Sequence, residues 1–116
     1  MSYELVFWKQ ASDSADPPSR IYGLLLDGAV PNGLEEIPVE NLLDRVRGAF
    51  PGVIEDGGLV FWEGGDRGMF EVSWSPRHVH FCCRGLEAEE MNRLIDIAHE
   101  FDCPLYDPQV DVRYTG

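Results

Sequence analysis

Phe70-Glu71-Val72-Ser73-Trp74-Ser75-Pro76-Arg77-His78-Val79-His80-Phe81-Cys82-Cys83 alternates apolar and polar side chains on both sides of a proline. Successive side chains of a strand point to opposite faces, so the pattern predicts two antiparallel strands with one core face and one polar face. Phe70, Val72, Trp74, Val79, Phe81 and Cys83 fall on the first; Glu71, Ser73, His78, His80 and Cys82 fall on the second. An even-length loop around Ser75-Pro76 sets Val72 opposite Val79 and Phe70 opposite Phe81. The same register sets Glu71 opposite His80 and Ser73 opposite His78.

Upstream of this hairpin, Leu59-Val60-Phe61-Trp62 reads as another strand between Gly57-Gly58 and a flexible hairpin loop, Gly64-Gly65-Asp66-Arg67-Gly68. Near the start, Tyr3-Glu4-Leu5-Val6-Phe7-Trp8 is rich in aromatic and branched residues and apolar on both faces after Glu4, as a strand inside a sheet would be. Residues 11–18 are a loop by composition. Residues 20–27, with Ile21, Leu24 and Leu25, predict a short helix closed by Gly28, before a turn at Pro31-Asn32-Gly33. Val39, Leu42, Leu43, Val46, Ala49 and Phe50 follow helical spacing from a first-turn Pro38 to a stop at Pro51-Gly52. A second long helix opens at Leu86-Glu87-Ala88-Glu89-Glu90, its carboxylates favoured by the helix dipole. It carries Met91, Leu94, Ile95, Ala98 and Phe101 as a buried stripe to Cys103-Pro104. The tail adds one or two short strands around Asp107-Pro108.

The order β-α-α-β-β-β-α-β segregates strands from helices. The expectation is an α+β fold: one domain over residues 1–116, a mostly antiparallel sheet of about five strands, and two main helices packed on one face. The length suits a single core.

The chain has 21 Asp and Glu against 9 Lys and Arg, a formal charge of −12. Such a field repels nucleic acid and anionic membranes and attracts basic proteins. No run reaches the apolar length of a membrane span and no secretion signal is visible, so a cytoplasmic protein is expected. Three cysteines, two of them adjacent, predict reduced and mostly buried thiols.

Among chemically interesting groups, His78, His80 and Cys82 share a strand face with Glu71 opposite, a pattern that can hold a divalent ion or orient a ring. One strand alone supplies the three, and a solvated polar face with a Glu71–His80 pair explains them as well. Cys82 and His80 lie about 6 to 7 Å apart by strand rise, long for thiol activation. The carboxylate pairs Glu35-Glu36, Glu55-Asp56 and Glu89-Glu90 read as solvated charges, and no phosphate loop, nucleophile elbow or zinc-protease motif occurs. No catalytic residue, metal ligand or cofactor is expected. Trp8, Trp62 and Trp74 read as core, but Trp62 adjoins Glu63 and the glycine loop, where an exposed indole would anchor a partner. The candidate partner-binding set is therefore Glu55, Asp56, Trp62, Glu63, Asp66, Glu71, His78 and His80, because acidic loops around the middle strands can fill a basic cleft.

Two segments carry a resemblance. Met1-Ser2-Tyr3-Glu4-Leu5-Val6-Phe7-Trp8 and the helix leading into Cys103-Pro104-Leu105-Tyr106-Asp107-Pro108-Gln109 resemble a group of small bacterial proteins that open with a Met-Ser-Tyr-acidic strand and close on Tyr-Asp-Pro-Gln. Such acidic proteins include immunity partners in contact-dependent growth inhibition and other polymorphic toxin systems. The resemblance implies an immunity protein; with the acidity and the absence of catalytic motifs, the expectation is a binder, not an enzyme, that neutralises a cognate toxin domain by occluding its active site, the toxin being a basic nuclease. It covers the two ends and transfers no binding residue. The alternative is a small metal-dependent or histidine-based enzyme using His78, His80 and Glu71.

Overall fold

The alternating stretch folds as a tight hairpin. In the computed structural model, which describes residues 2–10, 16–29 and 33–114, β5 (Met69–Ser75) pairs antiparallel with β6 (His78–Arg84) across the two-residue loop Pro76-Arg77. The faces are as expected, but the register is two residues further along. Val72 meets Phe81, Phe70 meets Cys83, Glu71 meets Cys82, Ser73 meets His80 and Ser75 meets His78. Pro76 opens the loop, where its fixed φ suits a turn and its missing N–H breaks no ladder bond, so Trp74 and Ser75 remain in the strand. A slip of two preserves every face and changes every partner.

The other elements are β1 (Ser2–Gln10), α1 (Pro18–Leu26), β2 (Leu34–Glu35), α2 (Val39–Ala49), β3 (Ile54–Asp56), β4 (Leu59–Glu63), α3 (Ala88–Glu100), β7 (Leu105–Asp107) and β8 (Val112–Arg113). The architecture is α+β, with three helices and eight antiparallel strands among the described residues. The strand order is β3-β4-β5-β6-β1-β7-β8, and β2 pairs with the end of β1. This exceeds the expected five strands. The additions are the short β2 and β3, with both tail strands formed. The loop read over residues 11–18 lies mostly outside the described residues, though Pro18 opens α1; Pro31 and Asn32 of the next turn lie outside them too. No helix of the described residues is long and apolar enough to cross a membrane.

β1 is interior, between β6 and β7, and Leu5, Val6, Phe7 and Trp8 are all buried. The larger core joins Leu5, Phe7, Val60, Trp62, Phe70, Val72, Val79 and Phe81 to α2 through Leu42, Leu43 and Val46, and to α3 through Leu94, Ile97 and Ala98. Both long helices thus cover one face. On the other, Val6, Trp8 and Tyr106 form a smaller core with Ile21 of α1 and Leu34. Among the described residues, that helix covers the β1 and β7 end of its face and no helix covers β3, β4 and β5 there.

Two local readings change. Pro38 is the N-cap of α2 rather than its first turn. Glu90, expected in solvent, is buried between Arg67 at 2.9 Å and Arg93 at 3.1 Å. Burial of a carboxylate is tolerated because two guanidiniums compensate it.

That pair also ties down the glycine loop, which is a short 3-10 turn over Gly65–Arg67 closed by Gly64 N–H donating to the Gly68 carbonyl at 2.8 Å. Gly68 has φ 97° and ψ −165°, a region open to glycine alone, and a Cβ there would meet the Gly85 carbonyl at 2.4 Å. Gly68→Ala is expected to lower the unfolding free energy by about 3 kcal/mol, whereas Gly65→Ala, left-handed but in open space, costs about 1 kcal/mol. Urea unfolding of both variants measures the difference.

Candidate functional site

β6 places His78, His80 and Cys82 on the face that α1 partly covers, but the carboxylate that serves them is not Glu71. His80 Nε2 lies 3.0 Å from Glu4 Oε1 on the neighbouring β1, and Tyr22 of α1 donates its hydroxyl to Glu4 Oε2 at 3.2 Å. The Tyr22 and His80 rings meet edge to face, 6.1 Å between centroids. Burial first, then the Glu4 charge, pushes the Tyr22 hydroxyl up to about 12, so it stays a donor. The trio docks α1 onto the sheet. Register explains why Glu71 is elsewhere: it faces Cys82, and its side chain is exposed.

His78 goes its own way. Its Nδ1 lies 2.6 Å from Ser75 Oγ across the hairpin end, and burial, then the charge of His80, lowers its pKa to about 4. Among the described residues no group of three His, Cys, Asp or Glu side chains could hold a metal ion. All three cysteines are free thiols; burial pushes Cys83 up to about 12 and Cys103 up to about 11, which suppresses the nucleophilic thiolate.

The acidic set divides. Glu55 does not sit in a loop: it lies on β3 and pairs with Arg47 of α2, which also holds Asp44. Asp56, Glu63, Asp66 and Glu71 are exposed. Trp62 cannot anchor a partner. It is 4% exposed, its indole N–H donates to the Pro51 carbonyl at 3.3 Å, and its ring packs on Phe50 and Phe70 with centroids at 5.0 and 5.6 Å. Its strand parity with Val60 turns it to the helix-covered face. The exposed indole is instead Trp74, at 36%, where β5 runs past the helix cover beside a hollow of about 470 Å³ bordered by Ile37, Pro38, Glu40 and Pro76.

What the sequence reading missed is the uncovered half of the α1 face. Ile54, Phe61 and Glu71 are successive cross-strand partners on β3, β4 and β5. Ile54 is 47% and Leu59 44% exposed, and Asp56, Glu63 and Glu71 surround them. The signal was present in Val53-Ile54 before Gly57-Gly58, whose φ values of 58° and 85° are those of a two-residue hairpin turn. The uncovered half is thus an apolar strip with a carboxylate rim.

No protein-family model, curated protein or solved structure matches this chain.

The depressed pKa of His78 has a consequence for stability. Between pH 6.5 and about 4 the unfolded chain binds a proton that the folded one does not, so stability is lost as pH falls through that window. After allowance for partial exposure, this loss is about 2 kcal/mol. Unfolding titrations at pH 7 and 4.5 are expected to show it in the wild-type protein, and to show a correspondingly smaller loss in His78→Gln.

Proposed function

We propose that this chain is a protein-binding domain that takes a basic protein on the uncovered half of its sheet, and that the partner is a toxin domain which it neutralises as an immunity protein. The observation that carries the reading is the Ile54, Leu59 and Phe61 strip framed by Asp56, Glu63 and Glu71. Exposed Ile54 and Leu59, with half-buried Phe61 between them, supply burial energy at the centre of an interface, and peripheral carboxylates steer a cationic surface into place. The formal charge of −12 extends that attraction beyond contact distance, out to roughly one Debye length. A nuclease, whose cleft must be basic to hold phosphates, is the class of toxin that fits this surface; covering the cleft would stop the enzyme without chemistry by the inhibitor.

Co-expression with the product of the gene immediately upstream is the test. The expected result is a complex that survives purification at micromolar concentration and protection of cells expressing that toxin. Ile54→Asp or the pair Glu63→Lys and Glu71→Lys is expected to weaken the complex about tenfold or more, with the melting temperature kept because all three side chains are exposed. His80→Ala, whose ring lies beneath Tyr22, leaves affinity unchanged. Absence of a complex, or a complex indifferent to all of these surface substitutions, overturns the reading.

A further inference from the structure

A groove of about 410 Å³ runs between α3 and the β1–β7 part of the sheet, on the helix-covered face and remote from the open strip. Leu5, Met91, Ile95 and Leu105 supply apolar walls, and Tyr3 and Tyr114, both substantially exposed, stand at its border. One carboxylate lines it, that of Asp107, which is only 4% exposed. Buried carboxylates normally have a cation beside them, as Glu90 has two in this molecule. Asp107 has none among the described residues. Its hydrogen-bond donors are all neutral: the Tyr3 hydroxyl to Oδ2, and the Gln109 backbone N–H at 3.0 Å and side-chain amide to Oδ1. The bond to Asp107 is the first cause that pushes the Tyr3 hydroxyl up to about 12, keeping Tyr3 a donor.

An apolar groove with a buried, positively uncompensated carboxylate and two tyrosine rings at its rim has the electrostatics of a site for an organic cation. We infer that this groove binds a small ammonium compound with an apolar body, the charge placed at the Asp107 end and the body against Met91 and Ile95. The low-dielectric walls strengthen the attraction of Asp107 for the ammonium, and Tyr3 and Tyr114 on the lining place aromatic rings near it. The volume is that of ordinary small-molecule sites. His99 also lines the groove, so all compounds are compared at one and the same pH. The inference is independent of the protein-binding reading, since the two surfaces lie on opposite faces of the sheet.

Phenethylammonium titrated into the full chain, followed by amide NMR shifts, tests the site. The expected result is saturable binding with a dissociation constant of about 1 mM or tighter, with shifts centred on Met91, Ile95 and Tyr114. The neutral isostere 2-phenylethanol should bind about tenfold more weakly. Asp107→Asn, which keeps an acceptor for Gln109, should cost about the same factor. Because that variant touches the tail, Ala88→Trp provides an independent check by filling the groove from an exposed position, and it should abolish the shifts. No saturation by about 10 mM, or equal affinity for the neutral compound, overturns the inference. So does tighter binding of acetyl-lysine methylamide than of phenethylammonium, which would assign the groove to a protein side chain.

Discussion

The burial of β1 on both faces is the constraint on which the rest of the molecule depends. Leu5 and Phe7 reach the core under α2 and α3, while Val6 and Trp8 reach the one under α1. The same strand carries the ladders of β6 and β7, so both cores and the continuity of the sheet pass through one segment. Burying four such side chains contributes on the order of 8 kcal/mol, comparable with the whole stability of a domain this size. Once β1 is fixed, the β5–β6 hairpin can have only its apolar face toward the long helices. His78, His80 and Cys82 are then turned toward α1, and Glu4 becomes the partner of His80.

Features written in periodicity were legible without coordinates. The apolar run of β1 implied an interior strand, the alternation through residues 70–83 implied a two-faced hairpin, and the stripes of α2 and α3 implied two helices on one face. Features that depend on tertiary partners were not. Period-two alternation fixes a face but leaves a two-residue slip free, so Glu71 could be assigned to His80 when Glu4 holds it. Glu90 looked solvated because the arginines that compensate it come from a distant loop and from the next turn of its own helix. Trp62 and Trp74 point to the same face of the sheet, and the reach of the helix cover alone decides that the first is buried and the second exposed. β3 was hidden because three residues between a helix and a glycine pair show too little pattern.

The two terminal segments that suggested a family resemblance meet in space. Tyr3 donates to Asp107, and the Gln109 side chain forms a reciprocal pair with the Glu4 backbone, accepting from its N–H at 2.7 Å and donating to its carbonyl at 3.1 Å. Tyr-acidic at one end and Asp-Pro-Gln at the other are therefore halves of a single clasp that seats the tail against β1. Their spacing is explained by the fold alone, and the clasp says nothing of a partner. The strip proposed for a protein partner lies elsewhere, on the middle strands that carry no such signature.

The central strand is also the one that waits longest for its neighbours. β6 begins at His78 and β7 at Leu105, so during synthesis the run from Leu5 to Trp8 emerges far ahead of either ladder partner. Contacts this distant in sequence slow folding and prolong the exposure of an apolar, strand-forming segment to other nascent chains. Mutual repulsion between chains bearing a net charge of −12 opposes that encounter. The acidity of the chain thus acts first as a folding safeguard, before any folded surface exists.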